Sequence, residues 1–159
     1  MPACLEPRIE ILPKAQREIW PLPVMRLLAL FAALWLGLVL PAQAADDVAA
    51  AQGVIRSQVE AFSRDDAATA YSYAAPEIHG LFPRADVFLG MVQRSYAPVY
   101  RHKSFEFGEA RVSDGQIAQH VHIIDANGEP WEALYTLQHE PDGSLKIVGC
   151  VLLKAGQDV

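Results

Sequence analysis

From Gln116 to Lys154 the chain reads QIAQHVHIIDANGEPWEALYTLQHEPDGSLKIVGCVLLK, three runs of apolar and β-branched residues parted by Ala126-Asn127-Gly128 and Pro141-Asp142-Gly143. Runs of this kind between glycine-bearing turns are strands joined as hairpins. A further turn signal, Ser113-Asp114-Gly115, ties in an earlier run. Each loop fits a three-residue connection, a type I turn followed by glycine in the left-handed position. Pro141 at the first central position of the last turn supports that choice. Four antiparallel strands are predicted: about Ser104–Val112, Gln116–Asp125, Glu129–Glu140 and Ser144–Lys154.

Three-residue loops throughout set the register. One cross-strand row is Phe105, Ile123, Trp131, Leu153. The next is Phe107, Val121, Ala133, Val151, and a later one is Arg111, Ile117, Leu137, Ile147. Apolar residues then line up across one face, as a buried sheet face requires. A two-residue loop at Asn127-Gly128 would instead set His120 and His122 beside Trp131 and Tyr135.

Upstream, the apolar spacing changes to helical. Val48, Ala51, Ile55, Val59 and Phe62 recur at steps of three and four, with Asp46 or Asp47 as the N-cap. Asp65-Asp66 opens a second short helix through Tyr71, ended before Pro76. A third runs from about Ala85 to Tyr96, with Phe88, Met91 or Val92, and Tyr96 on one face, until Pro98 stops it. Pro76 to Pro83 is predicted as a loop holding His79 and Gly80. Helices first and sheet second make an α+β domain, three N-terminal helices packed on a curved four-stranded antiparallel sheet.

Residues 45–159 form that single domain. Ahead of it, Met25-Arg26, the uncharged run Leu27–Leu40, Pro41 and the small-x-small ending Ala42-Gln43-Ala44 have the plan of a cleavable signal peptide over residues 25–44. A membrane span needs about 20 apolar residues, which makes this run short for an anchor. The predicted location is periplasmic or secreted, with cleavage before Ala45 and membrane contact only during export. Residues 1–24 mix charges with five prolines and are expected to be a spurious or disordered extension.

Cleavage removes Arg8, Lys14, Arg17 and Arg26 along with Glu6, Glu10 and Glu18. The mature domain is therefore one unit more acidic than the whole chain at −6. That charge argues against nucleic acid and anionic lipid as partners. Cys4 leaves with the leader, so Cys150 stands alone and no intrachain disulfide forms.

Between the apolar rows sits a polar one: Glu109, Gln119, Tyr135, Gly149. A carboxylate, an amide and a phenol on a core face must satisfy each other, water or a ligand. Gly149 leaves space beside Tyr135. These residues, with Trp131 and with Tyr96 on the rim segment Tyr96–Lys103, are the predicted ligand-binding set. A self-satisfied buried network, or Glu109 reaching solvent at a sheet edge, is the structural alternative.

On the opposite face the register places Gly108, His120, Leu134, Cys150 in one row and Glu106, His122, Glu132, Leu152 in the next. Two histidines two apart on a strand point the same way, as metal ligands do. No complete ligand motif accompanies them, so no metal and no cofactor are expected. Ala118, Leu134, Val148 and Leu152 make that face apolar enough to be a homodimer interface or to be covered. Cys150 reads as a packed small hydrophobe.

Ile55–Phe62, Asp65-Asp66-Ala67-Ala68 and Ala70-Tyr71 resemble the opening of a bacterial family, domain of unknown function 4864. Tyr96–Arg101, Trp131–Tyr135 and Asp142–Cys150 extend the resemblance over nearly the whole domain. Such domains are similar to the nuclear transport factor 2-like superfamily, which implies a cone of bent sheet closed by helices, often dimeric through the sheet. The resemblance implies a cavity and no activity. In enzymatic relatives an acid or histidine projects into the cone, a role that Glu109 as base and Tyr135 as oxyanion donor have the chemistry to fill. Three functions follow in order: binding of a small, partly apolar ligand; an isomerase, dehydratase or cyclase using Glu109; and a protein-interaction module acting through the outer sheet face.

Overall fold

The computed structural model describes residues 40–156. The residues 1–24 extension and nearly all of the signal peptide lie outside the described residues. Among the described residues five helices precede four strands: α1 Leu40–Ser63, α2 Ala67–Ser72, α3 Pro76–Leu81, α4 Ala85–Ser95, α5 Ala97–Tyr100, β1 His102–Ser113, β2 Gln116–Asp125, β3 Pro130–His139 and β4 Leu145–Lys154. The strands form one antiparallel meander in the order β1-β2-β3-β4. The domain is α+β, with the strand spans within two residues of expectation.

The helices depart from expectation where proline is involved. α1 runs through Pro41 and is already helical at Leu40, the first of the described residues, ahead of the expected start at Asp47. Asp46 and Asp47 are therefore inside the helix and cap nothing. Asp47 instead faces His139, with Oδ1 3.6 Å from Nε2. Pro76 likewise starts the short helix α3 where a loop was expected, and Pro98 opens α5 after stopping α4. Asp66 does cap α2, its carboxylate accepting from the Thr69 N–H at 3.0 Å. The buried side of α4 is Phe88, Leu89 and Val92.

α1 packs across β1, β2 and β4, α3 against β4, and α5 against β1 and β2. Ile55 and Phe62 from α1, Phe88 and Val92 from α4, and Val99 from α5 meet Ile117, Val121, Ile123, Tyr135, Leu137 and Ile147 of the sheet. All of these are buried.

Three corrections to the register follow from loops and bulges. The first hairpin has a two-residue loop, since Ser113 pairs with Gln116. Asp114 and Gly115 both take positive φ, 52° and 77°, the type I′ geometry that matches strand twist. Two residues in place of three displace β1 by one position, so Val112 and not Arg111 pairs with Ile117. A bulge between Phe107 and Ala110 then absorbs one residue and restores the expected pairs, Phe107 with Val121 and Phe105 with Ile123. The second and third loops have three residues, with Asp125 bonded to Glu129 and Glu140 to Ser144.

β4 carries a bulge as well. Leu137 pairs with Ile147 as expected, but Thr136 pairs with Gly149. From there on β4 runs one residue ahead: Tyr135 faces Cys150, Ala133 faces Leu152, and Trp131 faces Lys154. Cys150 and Leu152 therefore turn to the helix side and pack against the core, whereas Val151 turns outward and is 54% exposed.

Candidate functional site

The predicted polar row divides at the β1 bulge. Ala110 takes the place opposite Gln119, and Glu109 is extruded to solvent with 84% of its side chain exposed and Arg111 4.0 Å away. Gln119 stays in the row and is fully buried. Its Nε2 donates to the carbonyls of Gly108 (3.0 Å), Glu109 (3.3 Å) and His120 (2.7 Å), and its Oε1 accepts from Gln52 Nε2 at 3.0 Å. A bulge leaves carbonyls without ladder partners, and this amide satisfies them. Gln119 is thus consumed by the backbone that surrounds it.

The other half of the row opens onto a cavity of ≈ 220 Å³ between α1, α3, α4 and the β3–β4 side of the sheet. Tyr135, Gln58, Tyr96 and Cys150 supply its polar atoms. Phe62, Phe82, Phe88, Met91, Val92 and Ile147 give most of the apolar wall. Leu81 belongs to the rim and is 73% exposed, so the cavity reaches the surface beside α3. Among the described residues, no Asp, Glu, Lys, Arg or His lines it.

Each polar group has a local cause. α1 presents Gln58 one turn after Ile55, on its buried face. The amide is 4% exposed, and its Nε2 donates to the Ala70 carbonyl at 3.1 Å. Among the described residues, no donor reaches its Oε1. Tyr96 ends α4 and donates its hydroxyl to the Cys150 carbonyl at 2.9 Å. Tyr135 is 1% exposed and pairs across the strands with Cys150, so its phenol stands beside the thiol. Burial holds the Tyr135 phenol well above its ordinary pKa. Burial also pushes the Cys150 thiol up to about 12, with the Tyr135 hydrogen bond opposing the shift. Both groups are protonated and neutral near pH 7. Gly149 faces open space on the cavity wall, where an added Cβ would meet nothing within 4 Å.

Trp131 lies apart from this cavity. It lines a more open depression of ≈ 450 Å³ with Arg94, Tyr96, Asp125 and Leu152. Its indole N–H donates to Asp125 Oδ2 at 3.2 Å, while Lys154 stands 5.6 Å over the ring. Asp125 also accepts from the N–H groups of Asn127 (2.8 Å) and Glu129 (2.9 Å). These bonds, the Glu129 N–H first, hold its carboxyl below the usual range. That arrangement is a hairpin clamp.

On the outer face the row is Glu106, His122, Glu132, Leu153, and His120 stands between Leu134 and the edge. His120 Nδ1 lies 2.8 Å from Glu132 Oε1. Gly108 lets the His122 ring lie over the bulge, since a Cβ there would sit 2.8 Å from its Nε2. Among the described residues no three His, Cys, Asp or Glu side chains are placed to hold a metal.

Of the five predicted ligand residues, the structure brings Tyr135 and Tyr96 to one cavity and sends Gln119, Glu109 and Trp131 elsewhere. Reading the sequence missed Gln58 and the inward turn of Cys150. A glutamine beside Ile55, Val59 and Phe62 on a helical apolar stripe was the available signal for the first. Comparison with curated proteins and with solved structures returned no match. The profile of one family, described as "Domain of unknown function (DUF4864)", matches residues 44–158, nearly all of the folded domain. The chain belongs to that family.

Proposed function

We propose that this protein is exported and that its mature domain binds a small, partly apolar molecule in the cavity beneath α3 and α4, without transforming it. The observation that carries this reading is the cavity itself: an apolar wall, a rim at the surface, and a few polar atoms at fixed positions. Binding is favoured over catalysis by what the cavity lacks. Glu109, the candidate base, is in solvent on the bulge, and Tyr135 and Cys150 are both held protonated. A base working near neutral pH needs a pKa close to that pH. Export rests on the leader pattern. Cleavage after Ala44 would start α1 at Ala45, with Asp46 and Asp47 in the first turn, where carboxylates favour the helix dipole.

A second reading concerns the outer sheet face. Among the described residues the helices pack from the other side, and Leu134, Val151 and Leu153 of the outer face would form the surface of a homodimer. Native mass spectrometry of protein recovered after export tests both. A chain beginning at Ala45, carrying a small molecule that departs on denaturation, is the expected result. Protein that arrives empty and gains no thermal stability from any neutral apolar compound would overturn the binding reading. A monomer at all concentrations would remove the second.

A further inference from the structure

We infer that the molecule held in this cavity is an uncharged ring compound bearing a hydroxyl, with the hydroxyl seated between Gln58 and Tyr135. This deepens the binding reading and rests on it.

Charge is decided by the lining. With no acidic, basic or imidazole side chain on the wall, a carboxylate or an ammonium would lose its hydration without a counter-charge. That loss is worth several kcal/mol for a buried ion. The hydroxyl follows from the two buried polar side chains. Gln58 is anchored through Nε2 to the Ala70 carbonyl, which leaves Oε1 on the cavity wall as an acceptor open to a guest's donor. Tyr135 presents a neutral phenol that can donate as well as accept. A ketone or ether only accepts, and would leave Gln58 Oε1 unpaired. A hydroxyl donates to the amide oxygen and accepts the phenol's single proton, which then turns from the Cys150 thiol to the guest. An alkylamine able to do the same is charged at neutral pH, and an arylamine nitrogen is a poor acceptor.

Size and wall select the rest. A cavity of about 150 Å³ holds benzene, so ≈ 220 Å³ suits a molecule about half as large again. The Phe88 ring lies 6.2 Å from Phe62, tilted, and 6.1 Å from Phe82, edge-on, and the three offer aromatic edges and faces to a planar guest.

Three bicyclic probes of nearly equal size separate these statements: 2-naphthol, naphthalene and 2-naphthoate, titrated calorimetrically at pH 7 against the purified protein. Binding of 2-naphthol is expected to be about 3- to 10-fold tighter than that of naphthalene, the worth of about one net hydrogen bond. It is expected to exceed 2-naphthoate, ionised at this pH, by about 100-fold or more. Tyr135→Phe, with an unchanged melting curve as the control for folding, is expected to bring the naphthol-to-naphthalene ratio close to one while naphthalene binds as before. Naphthoate binding as tightly as naphthol, or a ratio untouched by Tyr135→Phe, would overturn this inference and leave cavity binding standing. If none of the three binds, the cavity-binding reading falls with it. Selectivity in the unmodified protein is informative even if the variant does not fold.

Discussion

Gln119 and Tyr135 face each other across β2 and β3, and both are essentially inaccessible to water. Their polar atoms nevertheless have opposite fates. The Gln119 amide is spent on three carbonyls at the β1 bulge and on Gln52. The Tyr135 hydroxyl meets a thiol at the wall of a cavity. A buried polar residue becomes available for binding only where the backbone nearby has no unmet hydrogen bonds to claim it. In this sheet the β1 bulge makes such a claim, and the β4 bulge supplies Gly149 and open space instead.

The largest expected effect tests the Tyr135 side. With its thiol raised from 9.0 to about 12, Cys150 should alkylate at pH 8 about a thousandfold more slowly in the folded protein than in urea, because only thiolate reacts. The same shift has a sign for stability. The folded state holds this proton more tightly, so its contribution is whole below pH 9 and is lost as pH rises from about 9 towards 12. Urea unfolding measured across that range should show stability falling. Rapid native labelling at pH 8 would place Cys150 outside the buried contact.

The Gln119 side is tested by Gln119→Leu. This change leaves the bulge carbonyls and the Gln52 amide unpaired, and should destabilise the domain by about 2–3 kcal/mol in urea unfolding. Naphthol affinity of the folded variant should change little, since Gln119 is not on the cavity wall and its amide bonds only Gln52 and backbone carbonyls. A large loss of affinity without a loss of stability would reverse the comparison. Tyr135→Phe should do the opposite: a stability change of about 1 kcal/mol or less, and a lost preference for the hydroxyl. The smallest effect is expected at Glu109. Glu109→Gln should move neither the unfolding midpoint nor binding, as befits a side chain 84% exposed on the bulge. A drop in either would return Glu109 to the site.

Much of this was legible in the chain. The strand spans, the two three-residue loops and the rows of Ile123 with Trp131 and Val121 with Ala133 follow from alternation and turn chemistry alone. The expected pairs Phe105–Ile123 and Phe107–Val121 also stand, though for a reason that reading did not contain: a loop one residue shorter and a bulge one residue longer cancel. Between those compensating features lies Glu109, and there the expectation failed. The same happened at Cys150, where an unforeseen bulge changed which residues face inward.

What the sequence by itself determined is the order of elements, the apolar faces of α1 and the strands, and the hairpin connections, because these depend on residues close together in the chain. The tertiary structure alone decided where the sheet bulges, and hence which of Glu109, Gln119, Gly149 and Cys150 faces the helices. A bulge is set by how two strands bend beneath packed helices, and a shift of one residue exchanges the two faces of a strand. The cavity is likewise a property of helices meeting over that bulged sheet, with Gln58 and Tyr135 brought to one wall from distant parts of the chain.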